Sequence, residues 1–493
     1  MRRRFARSAT ALTATASAAS AFVSLASPAL AQQILLENRA ARVSFEPIAA
    51  DAILGGRARL AADLGDFDTS LTAAVERGGG QLNATDAAWA SVIRPATWTS
   101  DDVQLAARWT PLDGAQARLE AGERQRRTRN FLDPLGYSAD EQLAVDQERF
   151  LRLQFAAQAG RAGLQAGAET TTNAVDTLNP GEASGAGTRL WITSQRLFAR
   201  LAWRVSPYVS LEAGQTAQSF TVGWRGADAL QSQDGYLTPS LAVVVTPAPD
   251  TLWRVDLEET VAPVDPAKFA AYAELATPGA GSAPQPDRGW RYGLSVEHRL
   301  AGDVKLAARA TQWRLASVTD LGPVGSGEAP VGIGGGARQQ LDLNLSAPLT
   351  ALGLPGASLG GELTWRRSHV RDPFTRVRRP ISGEAPYRAQ LQLSGSLPTP
   401  AVSWSLVAKT DGPQSLYQMS TVTSLAAAAG LDGAVHYDAG QVRFSLELDN
   451  LVGGLRQVTT YSWSGSRTDG VPDRIERRND DARAVRISLR RRL

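Results

Sequence analysis

The chain has 493 residues, of which 52 are lysine or arginine and 49 are aspartate or glutamate, so its formal net charge at pH 7 is only +3. This near balance gives no electrostatic reason to predict a nucleic-acid partner. There are no cysteines, which excludes a disulfide framework and thiolate chemistry. The length allows several soluble domains or one large β-structure.

The N-terminus has the pattern of an export signal. Residues 2–4 and residue 7 are arginine, a stretch of small and apolar residues follows, and Ala29-Leu30-Ala31 fits an A-x-A cleavage site. We predict that residues 1–31 are a cleaved signal peptide. A membrane anchor is the alternative, but serine and threonine interrupt the apolar stretch, which is also short for a membrane span.

The C-terminal part of the chain alternates between apolar and polar residues. Every second residue between 441 and 449 is apolar, as in Val442, Phe444 and Leu446, and residues 485–490 repeat the pattern. A period of two is typical of a β-strand with one apolar face. No window after the signal reaches the roughly 18 to 20 apolar residues of a transmembrane helix. Entry into a membrane therefore requires a closed barrel, and a soluble β-sandwich is the alternative.

From residue 57 onward, the predicted strands are joined by connections that alternate in length. Short turns are predicted at residues 111–114, 160–161, 206–207, 247–250 and 301–303, and long loops at residues 123–147, 170–187 and 261–287. Outer-membrane barrels have short periplasmic turns and long outer loops, whereas a sandwich has no reason to sort its connections. Aromatic residues near strand ends on the apolar face predict an interfacial girdle: Trp203, Trp253, Trp290, Tyr292, Trp365, Tyr387 and Trp404.

These patterns predict an all-β fold, a transmembrane antiparallel β-barrel of about 20–22 strands with short periplasmic turns and long extracellular loops. The predicted organisation is a signal peptide at 1–31, a short N-terminal segment at 32–56 and an outer-membrane barrel at 57–493. The predicted location is the cell outer membrane. Outer-membrane lipid and lipopolysaccharide are the expected partners there.

Several short sequences resemble the barrel of TonB-dependent receptors, most densely from residue 239 to the end. They are Pro239-Ser240-Leu241, Gly353-Leu354-Pro355-Gly356-Ala357, Trp365-Arg366-Arg367-Ser368, Arg371-Asp372-Pro373-Phe374-Thr375, Ile381-Ser382-Gly383-Glu384 and Leu446-Glu447-Leu448-Asp449-Asn450-Leu451. The resemblance implies a monomeric barrel that is inserted by the barrel-assembly machinery and transports a solute or ligand.

The chain departs from that family at both ends. Family members carry an N-terminal plug domain, preceded by a short box that engages an energy-transducing partner. Residues 32–56 are expected to be too short for a plug, and Ile34-Leu35-Leu36-Glu37-Asn38 is either a remnant of the box or the start of the first strand. The family commonly ends in an aromatic residue, whereas this chain ends in Arg490-Arg491-Arg492-Leu493. We expect no direct energy coupling, and a separate plug or energising partner.

No motif predicts catalysis or metal binding, so we expect neither enzyme activity nor a cofactor. The three histidines are His298, His369 and His436, and none has a second histidine at metal-ligand spacing. Each is expected to be a surface or interfacial residue. The sequence shows no nucleophile motif and no carboxylate pair that differs from ordinary lumen charges.

The best candidate for ligand contact is the basic segment at residues 365–380, predicted as an outer loop. Its cations would attract anionic ligands or lipopolysaccharide phosphates, and a solvated loop without a ligand is the alternative. The candidate ligand-binding residues are Arg366, Arg367, His369, Arg371, Arg376, Arg378 and Arg379.

Charged residues on the polar face of the predicted strands predict a charged lumen. Without a plug they must pair with each other or with water. The predicted lumen charges are Arg254, Asp256, Glu258, Arg309, Arg443 and Glu447. Two functions remain open at this point. The barrel transports a solute or ligand across the outer membrane, or it is a plugless barrel that binds a partner or has a structural role without transport.

Overall fold

The computed structural model describes residues 36–38, 41–50, 53–63, 67–80, 96–132, 140–178, 188–225, 230–262, 285–300, 303–350, 353–397, 401–426, 429–440, 442–452, 455–481 and 484–491. The predicted signal peptide lies outside these ranges. The described residues are mostly antiparallel β-strand, with a short 3₁₀ turn at Arg467–Asp469. The strands form a sheet of 22 strands and a second sheet of four.

No helix in the described part of the chain combines the length and the apolar character that a membrane span needs.

The chain divides into two compact units. The first comprises residues 1–200, 216–235 and 493. Its strands are β1 (Leu36–Asn38), β2 (Ala41–Ala50), β3 (Ile53–Asp63), β4 (Phe67–Gly80), β5 (Ala96–Leu112), β6 (Ala115–Leu132), β7 (Asp140–Ala159) and β8 (Ala162–Leu178). Each of these strands pairs antiparallel with the next one in the sequence. Three further strands are divided between the two units, namely β9 (Thr188–Arg204), β10 (Val209–Arg225) and β11 (Leu230–Ala248).

The second unit comprises residues 201–215 and 236–492. Its strands are β12 (Thr251–Ala262), β13 (Asp287–Arg299), β14 (Lys305–Val324), β15 (Gly327–Pro348), β16 (Ala357–Arg371), β17 (Arg378–Arg379), β18 (Tyr387–Leu397), β19 (Val402–Asp411), β20 (Gln414–Tyr417), β21 (Thr421–Ala426), β22 (Gly430–Ala439), β23 (Val442–Asp449), β24 (Leu455–Ser462), β25 (Arg474–Asp481) and β26 (Ala484–Arg491). Strands β20, β21, β24 and β25 form the four-stranded sheet. The two C-terminal strands predicted from the period of two are β23 and β26, which pair directly.

The predicted short turns are confirmed where the structure describes them. Strand β5 ends at Leu112 and β6 begins at Ala115, while Gly114 has a φ of 80°. A β-carbon at Gly114 would lie 2.9 Å from the carbonyl oxygen of Gln158, near the end of β7 and beside the next short turn. Glycine is therefore required at this position both by the left-handed backbone and by the close approach of the neighbouring chain.

Two predicted loops are wrong in part, because strands continue into them. Residues 123–132 belong to β6, residues 140–147 to β7, and residues 170–178 to β8. Residues 133–139 and 179–187, and nearly all of the third predicted loop, lie outside the described residues. The extensions lack a period of two because polar side chains support them on both faces. Examples are the ion pairs of Arg124 with Asp102 and of Arg149 with Glu123.

The strands also begin earlier than the predicted boundary at residue 57. Strands β1 and β2 lie wholly before it, and β2 pairs with β3 from Ala41 opposite Ala62 to Ala50 opposite Ile53. Pro47, Gly55 and Gly56 interrupt the alternation in this stretch. The pattern of hydrophobicity is therefore weak there, although the backbone pairing is continuous.

In the second unit, one face of the sheet is apolar and exposed, and we call it the apolar face. Its residues lie side by side across β12 to β18, with the row Val255, Leu294, Ala310, Leu341, Trp365 and Tyr387 in register. Val255 is 55% exposed, Leu294 44% and Trp365 45%. A soluble sandwich would bury such a face, whereas a membrane barrel turns it toward lipid.

Candidate functional site

The opposite face of β12 to β18 carries polar and charged residues, and we call it the wall. One row of the wall consists of Arg254, Ser295, Arg309, Asp342, Thr364 and Arg388, which are neighbours in register. The next row contains Asp256, Gly293, Thr311, Gln340 and Arg366. The alternation of the strand sequences therefore sorts charged side chains onto one face and apolar side chains onto the other.

Asp256 lies at the centre of a charge cluster in the wall. It is 6% exposed, and its carboxylate lies 3.2 Å from Arg291 Nη2 and 3.3 Å from Arg309 Nη2. Arg291 also contacts Glu258, at 2.5 Å. A β-carbon on Gly293, the register neighbour of Asp256, would lie 2.6 Å from the carboxylate oxygens. Glycine at position 293 is what makes room for the carboxylate.

The other predicted lumen charges also have partners in the chain. Arg254 makes a bidentate contact with Glu212, at 3.1 Å and 2.8 Å. Arg443 makes a second bidentate contact with Asp438, at 2.8 Å for each bond. Glu447 lies opposite Arg486 in the register of β23 and β26. Among the described residues, much of the charge on the polar faces of these strands is therefore neutralised by pairing arginine with carboxylate.

Arg366 is an exception among the wall arginines. It is half-buried, and its Nε donates to Gln340 Oε1 at 3.1 Å rather than to a carboxylate. Asp342 in the next row accepts hydrogen bonds from Gln340 and Thr364. Neighbouring Arg338 is paired with Glu384 and lies over the Trp313 ring. Arg366 thus presents a guanidinium on the wall that hydrogen-bonds to an amide, while the carboxylates of Glu384 and Asp342 act on it only through their charge.

The structure divides the predicted basic segment into four groups, because residues up to 371 belong to strand β16 and are not a loop. Arg366 lies on the wall. Arg367, His369 and Arg371 are exposed on the apolar-face side of the same strand, and Arg378 pairs with Arg371 in the backbone register. Arg376 is exposed in the turn, with a φ of 62°. Arg379 is buried. The seven residues therefore do not converge on one site.

Arg379 belongs to a buried ionic network in the connections above the wall. Its Nη1 lies 2.9 Å from Asp320 Oδ2, and its Nε lies 2.6 Å from Asp372 Oδ2. Arg467 Nη2 reaches the same Asp372 oxygen at 2.8 Å. The ring of Tyr417 lies 4.5 Å from the Arg379 guanidinium and 5.7 Å from that of Arg467. Two arginines and two aspartates form a neutral cluster that links four chain segments.

The carboxyl group of Asp372 remains charged in this network. Burial disfavours the charged form, but the backbone N–H of Thr375, the hydrogen bond and charge of Arg467, and the charge of Arg379 together hold its pKa below the ordinary value of 3.8. Burial likewise opposes the charge of Arg379, and the charge and hydrogen bond of Asp320 outweigh it, so the pKa of Arg379 is raised. Each charged group thus stabilises the ionised form of its neighbours.

An apolar cluster packs beside this network. Leu315, Val318, Ile333, Val370 and Ile381 are buried together, with Trp313 and Val331 packed against them. Glu328 joins the four-stranded sheet to β15, because its carboxylate accepts the backbone N–H of Met419 at 2.7 Å. We define the cap as the C-terminal end of β14, the N-terminal end of β15, residues 371–386 and the four-stranded sheet. Its core and its ion pairs make it a folded element.

Sequence reasoning missed Asp320, Asp372, Tyr417 and Arg467, which give Arg379 its role. One signal was available in Asp372-Pro373-Phe374-Thr375. The Asp372 side chain accepts the backbone N–H groups of Phe374 and Thr375 at 2.9 Å each, which is the pattern of an Asx turn. The other three lie far from Asp372 in the sequence, so only the fold brings them together.

The histidines are separate from one another and from the network. His298 Nδ1 lies 2.8 Å from Thr251 Oγ1, and His436 Nδ1 lies 2.9 Å from Ser445 Oγ. His369 is exposed. Among the described residues, no three metal-ligating side chains lie close enough together to hold a metal ion.

The sequence matches no protein-family model and no curated protein. Solved structures do match. The ferric-catecholate import receptor Fiu from K12 E. coli has a TM-score of 0.63 at 9% identity, covering 93% of this chain and 78% of that chain. The siderophore receptor PiuA from Acinetobacter baumannii has a TM-score of 0.64 at 8% identity, covering 93% and 75%. The ferric yersiniabactin uptake receptor FyuA from Yersinia pestis has a TM-score of 0.59 at 14% identity, covering 91% and 70%.

At these identities the likeness shows the fold alone. The matching structures are import receptors and transporters rather than enzymes. Together with the antiparallel sheet of 22 strands, the comparison confirms the predicted fold class. The chain has the fold of the TonB-dependent receptor barrels, an antiparallel β-barrel of many strands.

Proposed function

We propose that the protein is an outer-membrane transport receptor of the TonB-dependent type, which moves a solute or ligand through its barrel. The observation that carries the proposal is the fold, which it shares with import receptors for ferric chelates and with a copper transporter. The exposed apolar face of β12 to β18 supports a position in a membrane. The polar wall on the opposite face supports a hydrophilic path.

The proposed ligand-contact point is Arg366 on the wall. Arg338 and Arg388 lie on strands β15 and β18, on either side of β16, but Glu384 and Asp411 already pair with them. Arg366 has only an amide acceptor, so an incoming anion would gain a charge-assisted bond without breaking an ion pair. An anionic metal chelate is therefore the proposed ligand class. The paired charges of the wall keep the rest of the path polar and nearly neutral.

The sequence led us to expect no direct energy coupling, but the fold shared with import receptors favours an energising partner, and this proposal includes one. It also includes either a plug or a gate that closes the lumen between transport events. The proposed assembly also uses the barrel-assembly machinery for insertion, and a monomer is the proposed state. These partners are inferred from the type of receptor whose fold the chain shares.

Uptake in cells tests the function directly. The full-length chain is expressed in a strain that lacks its own ferric-chelate receptors, and the outer-membrane fraction is checked for the protein. We expect radiolabelled iron, supplied as a ferric catecholate or ferric citrate chelate, to accumulate above the empty-vector control and to depend on the energising partner. If the protein is present in that fraction and neither chelate accumulates, the proposed ligand class is wrong.

Conductance in planar bilayers examines the lumen. A receptor barrel that is closed between transport events should give little steady current after reconstitution. A large and steady current would contradict closure by a gate within this chain. It would indicate either an open diffusion pore or a receptor barrel that needs a separate plug, while leaving the barrel fold intact.

A further inference from the structure

Glu384 lies in a tight turn that is anchored to the wall. The turn comprises residues 381–384, in which the backbone N–H of Glu384 donates to the carbonyl oxygen of Ile381 at 3.3 Å and Gly383 has a φ of 76°. Glycine at the third position is what a type II turn requires. Ile381 is 1% exposed, and its N–H donates to Ser368 Oγ at 3.3 Å. The turn therefore holds the Glu384 carboxylate at a defined place beside the wall.

The Glu384 carboxylate pairs with Arg338, and the pair is incompletely satisfied. Glu384 Oε1 contacts Arg338 Nη2, and the Glu384 side chain is only 11% exposed. Glu384 Oε2 and Arg338 Nε are both buried without a hydrogen-bond partner among the described residues. Burial of a charged group without such a partner is costly. A partner that matches Arg338 better can therefore replace Glu384.

Arg366 lies beside this pair. Arg338 stands opposite Ser368 in the register and Arg366 stands opposite Gln340, so the two arginines are diagonal neighbours on the wall. Diagonal neighbours are about 7 Å apart, which is within reach of long side chains. Glu384 acts on Arg338 by direct contact and on Arg366 through its charge. One carboxylate is thus the shared counter-ion of two arginines on the same face of the sheet.

We propose that Glu384 is a tethered counter-ion that occupies the anion site until an incoming polyanion displaces it. This inference rests on the anion contact at Arg366 in the proposed function, and it states which anions that contact selects. The anion first binds Arg366, whose hydrogen-bond acceptor is an amide. A second negative group of the same ligand then replaces Glu384 on Arg338, and the Glu384 side chain rotates into water. A monoanion cannot satisfy both arginines, so the site selects ligands with two or more negative groups.

The two arginines are prepared for this exchange. Arg338 lies 5.6 Å from the centre of the Trp313 ring, so its position does not depend on Glu384 alone. Planar guanidinium groups bind carboxylates and similar anions through paired hydrogen bonds. The displaced carboxylate exchanges a buried position with one unpartnered oxygen for full hydration. A polyanion therefore gains two cations while Glu384 loses little.

A comparison of two anions tests the selection. The probes are the metal-free tricarboxylate citrate and gluconate, a monocarboxylate of similar size, and calorimetry measures their binding to the purified full-length chain in detergent at one salt concentration. The wild type should bind citrate at least about tenfold more tightly than gluconate. Glu384→Gln should bind gluconate about tenfold more tightly than the wild type does, because Arg338 is no longer occupied. Unchanged gluconate affinity in this variant would overturn the proposal.

A double-mutant cycle separates displacement from simple repulsion. In the proposed exchange, the gain from Glu384→Gln arises because Arg338 is freed, so the gain should disappear when Arg338→Gln is also present. If Glu384 only repelled anions held by Arg366, Glu384→Gln would raise citrate affinity equally with and without Arg338, and the proposal would be wrong. Glu384→Asp retains the charge and should stay close to the wild type, which separates loss of charge from misfolding of the turn.

Glu212→Gln is the matched control. It breaks the ion pair of Glu212 with Arg254, another arginine on the same face. Arg254 lies on β12, four strands from Arg366, so at about 4.8 Å per strand the freed arginine is about 19 Å away and cannot share a ligand with it. The affinities for citrate and gluconate should stay at the wild-type values. An equal gain in Glu212→Gln and Glu384→Gln would show a general effect of charge and contradict a specific role for Glu384.

The outcomes also distinguish this inference from the proposed function. Loss of citrate binding in Arg366→Gln, together with unchanged gluconate affinity in Glu384→Gln, would leave the anion contact at Arg366 in place and remove the role of Glu384. Failure of both anions to bind the wild type and Glu384→Gln would overturn the inference and the anion contact together, whatever the uptake of iron chelates in cells.

Discussion

Arg366 and Arg379 lie in the same basic segment, yet their surroundings give them different roles. Arg379 is buried between Asp320 and Asp372, so its charge is neutralised by ion pairs inside the protein. Arg366 faces the wall with Gln340 as its acceptor. The charge of each residue is evident from the sequence. Whether a carboxylate neutralises that charge depends on contacts between distant segments of the chain.

Substitution of Arg366 tests its proposed contact with ligand. Arg366→Gln should weaken binding of a ferric tris-catecholate chelate about tenfold or more, because a charge-assisted bond to an anion is lost. The measurement is quenching of tryptophan fluorescence by the chelate in detergent. Arg367→Gln is the matched control, since it removes the same charge from the opposite face of β16. An equal loss of affinity in both variants would contradict a specific role for Arg366.

Gly293 tests the packing of the wall. Gly293→Ala places a β-carbon 2.6 Å from the Asp256 carboxylate, so the carboxylate must move away from Arg291 and Arg309. We expect a loss of about 1–3 kcal/mol in the free energy of unfolding, the usual range for disturbing a buried polar group. Gly360→Ala on the neighbouring part of the wall is the control, because the nearest atom to its new β-carbon is 4.0 Å away. Guanidinium unfolding in detergent compares the two, and equal midpoints would refute the expectation.

At the scale of elements, the cap depends on its neutral ionic network. Arg379→Met removes the arginine that pairs with Asp320 and one of the two arginines that pair with Asp372. Because these carboxylates are buried, the change should destabilise the cap by about 3–5 kcal/mol. Adding Asp320→Leu leaves the Asp372–Arg467 pair intact and should recover part of that loss. Hydrogen exchange of residues 371–386 measures cap opening in the two single variants and the double variant. Additive effects would show that Arg379 and Asp320 do not act as a pair.

The cap should also loosen in acid. The pKa of Asp372 in the folded chain lies below its ordinary value of 3.8, so its contribution to stability is fully present above about pH 4 and is lost as the pH falls through the folded pKa. Amide exchange itself slows in acid, so cap opening is followed by the protection factor, the intrinsic exchange rate divided by the observed rate at each pH. The protection factors of the cap in the wild type should fall below about pH 4. Asp372→Asn should show faster exchange at neutral pH and a smaller further change in acid. An acid response unchanged in this variant would assign the effect to another group.

The elements were predictable to different extents. Short turns followed from breaks in alternation, as at Gly114, because a tight turn needs particular residues. The extensions of β6 and β7 did not, since strands outside lipid need no apolar face and are stabilised by pairs such as Arg149 with Glu123. The ionic network was not predictable, because Asp320 and Arg467 are brought to Arg379 only by the folded cap.

At the scale of the whole molecule, the alternation of side chains is consistent with both the proposed location and the proposed function. The apolar face of β12 to β18 has no core to pack against, and the wall behind it carries charges that mostly pair with each other. The same period of two that predicted the strands thus separates a lipid-facing surface from a hydrophilic path. Identification of the ligand depends on positions such as Arg366, where the pairing is incomplete.

The most direct test of this separation uses the absence of cysteine in the chain. Single cysteines are introduced along β16 at residues 359–366, the purified variants are reconstituted in bilayers, and a nitroxide label at each position is examined for collision with oxygen and with a water-soluble nickel chelate. Positions 359, 363 and 365 should report lipid, and positions 362, 364 and 366 should report water. The same accessibility at odd and even positions would contradict a barrel wall with lipid on one side and water on the other.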